Sequence, residues 1–277
     1  METNTTIENQ STDASLVKVV IPIYKNQLNE TETMSLQQTF KVLKKHHFVI
    51  VCPENLDVQP ILDFGSDNKI EVIRFPNDYF KSIEGYNHLM LSDFFYEKFL
   101  DSKYILICQT DVIVVKDELA FWCAKNYDYI GAPWIASPRN AWNKSMLKIR
   151  NAFFKKKKSD AHFFKVGNGG FSLRNVRKHY EIVSHHKKEI VYCQRNRTPE
   201  NHHVEDVFFS MKAPSLVSDF KIPDYKEALG FAMDRRPQIA LKLNHNKLPF
   251  GIHGFDKRNV KDFWIPVIKN ILSKQNS

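Results

Sequence analysis

Asp111 is the single acid in "YILICQTDVIVV", residues 104–115. Apolar residues on both sides read as buried strand, and a buried carboxylate without a partner is costly. Gln109, Thr110 and Asp111 at a strand's carboxyl end form a degenerate D-x-D arrangement. A hard oxygen ligand there lets a divalent cation bridge the protein to a diphosphate. Mg²⁺ and Mn²⁺ favour one or two carboxylates completed by phosphate oxygens and waters. The alternative is that Asp111 caps a turn and accepts from backbone amides.

Four further stretches carry residues of chemical interest. "VGNGGFSLR", Val166 to Arg174, places three glycines around Asn168. Glycines there permit a close backbone approach to a ligand, or simply a tight hairpin. It lacks the spacing of a phosphate loop. Glu205 and Asp206 precede an apolar run, where a helix N-terminus favours an ionised carboxylate and so a general base, or a plain helix cap. His202 and His203 before them read as surface residues. His253, in "PFGIHGF", could complete a metal site with Asp111, which favours Mn²⁺ over Mg²⁺, or be an ordinary loop histidine. Trp134, in "YIGAPW", is a structural corner or a stacking platform. Lys155 to Lys158 form a basic run that suits a solvated loop, with a phosphate or membrane surface as the other reading.

The elements that must position these residues alternate in type. "LVKVVIPIY" predicts a first strand ending near Pro22. Asn29 and Glu32 predict a capping pair for a helix with Leu36, Phe40 and Leu43 on one face. "HFVIVCP" and "KIEVIRFP" predict two more strands. Leu91, Phe94, Phe95 and Phe99 predict one helix over 86–100, and the stretch containing Asp111 a fourth strand. Apolar strands alternating with helices give a mostly parallel sheet covered on both faces, with ligands beyond the strands' carboxyl ends. That rule gathers Tyr24 to Asn26, Pro53 to Asn55, Phe75 to Asp78 and Gln109 to Asp111 at one rim. The Gly-rich turn is expected to run into a helix over "NVRKHYEIVSHH". The division expected is a tail over 1–15, one domain over 16–268 (a nucleotide-binding half to 125, an acceptor and catalytic half after it) and a second tail over 269–277.

The chain has 277 residues and a formal net charge of +9, with 43% hydrophobic and 13% aromatic residues. That composition suits a folded protein with a substantial core. The positive balance fits phosphate-bearing small molecules or an anionic membrane surface. Nucleic acid is not expected, because no binding signature accompanies it and the aromatics fall in apolar runs. Four cysteines without paired spacing suggest buried thiols in a reducing compartment. With no signal peptide and no run of 18 apolar residues, the expectation is a cytoplasmic chain with at most peripheral membrane contact.

Together "YDYIGAPW", "VGNGGFSLR", "EDVFFS" and "PFGIHGF" resemble a largely uncharacterised glycosyltransferase-like family of bacteria and eukaryotes, over roughly residues 17 to 265. More broadly, the order of signals resembles nucleotide-sugar-dependent glycosyltransferases of the GT-A fold. The resemblance implies an α/β fold and transfer of a sugar from a UDP- or GDP-linked donor to an acceptor hydroxyl; the basic surface and the missing signal peptide add the expectation of a glycan or lipid-linked acceptor in bacterial glycan or polysaccharide assembly. It implies inversion at the anomeric carbon, with Asp206 as the base and Glu205 as the alternative. It makes Asp111 and His253 the ligands of Mn²⁺ or Mg²⁺, and places Pro22, Tyr24, Lys25, Gln109, Thr110, Trp134, Asn168, Gly169 and Gly170 around nucleotide and donor. Gln109 stands where the D-x-D pattern has its first acid. That departure keeps metal independence open, together with two rivals: an inactive nucleotide-sugar- or carbohydrate-binding module, and a nucleotidyltransferase.

Overall fold

A computed structural model describes residues 15–136, 162–197 and 201–275. Of the tail expected over 1–15, residues 1–14 lie outside the described residues and Ser15 already belongs to the first strand; the Lys155 to Lys158 run also lies outside them. Among the described residues nine strands form two sheets: β1 (Ser15–Pro22), β2 (His47–Pro53), β3 (Ile70–Phe75), β4 (Ser102–Cys108), β5 (Val112–Val114), β6 (Tyr129–Gly131), β7 (Phe171–Asn175), β8 (Ala232–Met233) and β9 (Gly251–His253). The larger sheet has the order β3-β2-β1-β4-β7-β6, and the smaller the order β5-β9-β8. β1 to β4 pair in parallel, while β7 pairs antiparallel with both β4 and β6. The expected mostly parallel α/β architecture is therefore present. Polar ends of β1 to β4 share one rim because their strands share one direction.

The first helix, Glu30–Val42, opens on a capping box. The Asn29 side chain accepts from Glu32 N, and Glu32 accepts from Asn29 N. Leu36, Phe40 and Leu43 are buried against β1 and β2 as the spacing requires. Burying such side chains contributes roughly 1.5–3 kcal/mol each before chain entropy is charged against it.

Four expectations need correction. The run from Tyr104 to Val115 is not one strand: β4 ends at Cys108, and β5 joins the other sheet. Three residues, Gln109 to Asp111, make the crossing. The predicted helix over 86–100 is two, Ile83–Met90 and Asp93–Glu97, broken where Ser92 caps the second by accepting from Phe95 N. The Gly-rich turn runs into a strand, β7, before the helix Val176–His185 begins. The last helix spans Lys261–Gln275, so a tail boundary at 268 falls inside it.

The smaller sheet alternates its faces, as strands must. Val112 and Val114 pack into the same cluster as β1, β2 and β4. Ile113 faces a second cluster with Met233, Ile252 and the buried Trp264 of the last helix. Gly251 lies against the ring of Phe171, where a Cβ would come within 2.3 Å of it. Phe171 in turn stacks on Phe231 at 5.1 Å. All four cysteines are buried free thiols. Among the described residues no helix is long and apolar enough to cross a membrane.

Candidate active site

Three side chains meet because of strand register in the smaller sheet. β5 and β9 pair antiparallel with Val112 opposite His253, which sets Asp111 beside Gly254; Gly254 N donates to Asp111 O at 2.8 Å. β8 and β9 pair in parallel with Met233 opposite Ile252, so Asp234 arrives beside His253. The result is His253 between two carboxylates. Its Nε2 lies 3.2 Å from Asp111 Oδ1 and its Nδ1 3.7 Å from Asp234 Oδ1. Lys257 Nζ stands 3.6 Å from Asp111 Oδ2.

These charges set one another's titration. Burial lowers the His253 pKa, but Asp111 and Asp234 outweigh it and hold the imidazole up at about 9. Burial pushes Asp111 up, yet hydrogen bonding and charge from His253 and Lys257 leave it below the usual carboxylate range. Asp234 was not among the residues the sequence singled out, and it supplies the second negative charge beside the ring.

Asn168 joins this cluster to the acid pair. It sits at φ +70°, in the left-handed region that asparagine tolerates better than most residues. Its amide Nδ2 lies 2.9 Å from Asp234 Oδ2 and 2.9 Å from His253 Nδ1. Val207 N donates to Asp206 Oδ1 at 2.8 Å, and the backbone amides of Asn168 and Gly169 face the same carboxylate and pull its pKa down. Burial nevertheless leaves Asp206 above the ordinary aspartate value. The glycines beside Asn168 are spatially required. A Cβ on Gly169 would fall 1.6 Å from Glu205 Oε1, and one on Gly170 would fall 2.3 Å from His253 Nε2 and 2.6 Å from Gln109 Oε1.

The two acids of the pair have different settings. Glu205 is 4% exposed and forms an ion pair at 2.9 Å with Arg174, which is fully buried in β7. Arg174 also donates to Tyr96 Oη and Ser172 Oγ, both at 3.0 Å, and Glu205 keeps it charged despite burial. Burial and the neighbouring Asp206 push Glu205 upward, with Arg174 pulling the other way. Asp206 is half-buried and has no cationic side chain paired with it among the described residues. The helix Glu205–Val207 gets no side-chain cap from Val204; Asn87, from a different helix, accepts from Glu205 N at 2.8 Å. A π turn, Phe208–Lys212, follows.

The remaining predicted residues spread along the rim. Pro22 ends β1 and is buried. Tyr24 is exposed, while Lys25 is paired with Glu32 at 2.8 Å. Gln109 N donates to Gly170 O at 2.9 Å, and Thr110 is buried. Trp134 covers Gly167, where a Cβ would lie 1.9 Å from the indole. That contact makes Trp134 a corner of the Gly-rich loop. His202 and His203 are half-buried.

Asp111 and His253 suit a divalent cation. Asp111 Oδ1 is buried without a hydrogen bond of good geometry, and it faces His253 Nε2 at 3.2 Å. Adjacent ligands of an octahedral ion with bonds near 2.1 Å lie about 3 Å apart. Among the described residues no group of three or more His, Cys, Asp or Glu side chains is arranged to hold a metal. Two protein ligands would leave the other positions to phosphate and water.

No curated protein matches the sequence. Several solved structures are similar at low identity. Galactosyltransferase LgtC, in complex with donor and acceptor sugar analogues, shares 12% identity over 93% of this chain and 95% of its own, with a TM-score of 0.47. Core-mannan synthase A of Aspergillus fumigatus, in a Mn/GDP form, shares 9% identity over 68% of this chain and 71% of its own, with a TM-score of 0.43. Glycosyltransferase GlyE of Streptococcus pneumoniae TIGR4 shares 14% over 88% and 56%, with a TM-score of 0.46. A family model described as "Protein of unknown function (DUF5672)" matches residues 69–253, more than half of the chain, so the chain belongs to the DUF5672 family.

Proposed function

We propose that the protein is a glycosyltransferase of the GT-A type, moving a sugar from a nucleotide-sugar donor to an acceptor hydroxyl with inversion. The observation that carries this reading is the pairing of Asp111 with His253 at a rim shared by parallel strand ends. A bound Mn²⁺ or Mg²⁺ would neutralise charge on the departing diphosphate. Asp111 and His253 would hold it, and Asp234 would fix the ring, as outer carboxylates do for metal-bound histidines. Lys257, whose ammonium group already lies beside Asp111, would face the same phosphates.

Asp206 is the base in this reading. Its pKa, raised by burial, suits proton removal better than that of a solvated carboxylate. Glu205 is less suited because its carboxylate faces the buried Arg174 charge. The backbone amides of Asn168 and Gly169 orient the Asp206 carboxylate, tying base position to the loop that also holds His253.

Calorimetric titration with UDP- and GDP-sugars, with and without Mn²⁺, tests the donor site. His253→Ala should weaken Mn²⁺-dependent donor binding at least tenfold. Asp206→Asn should abolish transfer and keep donor binding within about twofold, and unchanged turnover in that variant would sink the base assignment. The neutral Gln109 supports a second reading, a binding module without turnover. Donor binding with neither hydrolysis nor transfer would favour it.

A further inference from the structure

Beside the Gly-rich loop lies a cleft of about 480 Å³, within the range of about 300–1,000 Å³ typical of small-molecule sites. One wall is the stretch leading into the loop, with Phe164 and Lys165; the other is the helical segment that begins at Glu205, with Ser210 and Met211. Asp224 and Tyr225 close the far side. The cleft is thus walled by the two chain segments that carry Asn168 and Asp206, and Ser210 follows Asp206 by one helical turn.

We propose that this cleft binds a pyranose ring of the acceptor, an inference that rests on the transferase reading above. Its composition argues for a sugar over a hydrocarbon chain. Phe164 and Tyr225 lie with ring centroids 4.9 Å apart and tilted by 59°, an aromatic corner that suits the C–H face of a sugar. Ser210 is 7% exposed, and its hydroxyl has no hydrogen-bond partner. A buried hydroxyl left unpaired costs free energy that a ligand hydroxyl would recover. Lys165 is exposed and makes no ion pair among the described residues, whereas the Asp224 carboxylate is engaged as the cap of the helix Tyr225–Phe231, accepting from Lys226 N and Glu227 N. An alkyl chain would leave these polar groups unmatched; a ring carrying hydroxyls on its edge and hydrogens on its faces matches both. The backbone of Phe164 is held at φ +63°, unusual for a bulky residue and a mark of a position fixed by its surroundings.

The test is ligand-observed saturation-transfer NMR on the full chain, with methyl glycopyranosides of the common hexoses as probes and no donor present. Wild type should bind at least one glycoside in the millimolar range. Tyr225→Ala and the milder Ser210→Ala should each weaken that binding, Tyr225→Ala at least tenfold. Thermal unfolding verifies that each variant is folded. Absence of glycoside binding in wild type, or binding that survives both substitutions, overturns the assignment. Donor titration of wild type is scored separately: its failure removes the transferase reading, while the glycoside signal still reports on the cleft.

Discussion

Arg174 is the charge on which the interior of the site depends. It is fully buried, and its counter-charge Glu205 is almost equally so. Removing one partner of such a pair leaves the other uncompensated, which costs on the order of 3–5 kcal/mol, whereas replacing both with apolar groups can be nearly neutral. Arg174→Met should therefore lower stability to urea by about that amount, and Arg174→Met with Glu205→Leu should recover most of it. His253 gives a second prediction at this scale. Its folded pKa of about 9 lies above the unfolded value near 6.5. The stability it contributes is fully present below about pH 6.5 and is lost as pH rises through 9, on the order of 3 kcal/mol. Urea unfolding in chelator at pH 6 and pH 9.5 should show that loss, and Asp234→Asn should reduce it. Asp111, His253, Glu205 and Asp206 were visible in the sequence because each sits at the edge of an apolar run. Asp234 and Arg174 were not. Asp234 is followed by Arg235 and Arg236 and no apolar run, and Arg174 ends a string read as a Gly-rich turn leading into a helix. Only register reveals that one lies beside the histidine and the other lies in the core.

At the scale of elements, β5 is the edge of a three-stranded sheet, yet its free carbonyls are not left to water. Ser35 Oγ donates to Val112 O at 2.5 Å and Gln38 Nε2 to Val114 O at 2.9 Å, both from the first helix. The helix thus substitutes side chains for a missing strand and holds Asp111 in place from behind. Each unsatisfied carbonyl would cost about 1–3 kcal/mol. Ser35→Ala with Gln38→Ala should lower the unfolding midpoint and also weaken Mn²⁺-dependent donor binding, although neither residue faces the rim. The capping box and the strands β1, β2 and β3 were legible because their signals are local. The break at Ser92 was not, since Leu91, Phe94, Phe95 and Phe99 keep helical spacing across it. Nor was the division between β4 and β5: the flanks are equally apolar, and which sheet each joins is decided by partners far away in the chain, β1 and β7 for one and β9 for the other.

Across the whole molecule the two sheets share one core, with Val112 and Val114 packed into the cluster of β1, β2 and β4 while Ile113 faces the last helix. The α/β class and the rim were readable from alternation and composition. The antiparallel direction of β7, and the grouping of short strands into a second sheet, were not, because strands of two to five residues carry too little periodicity to show which partners they take. Gln109 to Asp111 is the short link by which the chain leaves one sheet and enters the other. A ligand gripping Asp111 therefore holds the seam between two hydrogen-bonded ladders. Amide exchange should then slow together in β4 and in β5 and β9 when Mn²⁺ and donor bind, and much less in the distant β3, as mass spectrometry of exchanged peptides would record. Strand pairing on one side of that seam is joined to strand pairing on the other through three residues, Gln109 to Asp111.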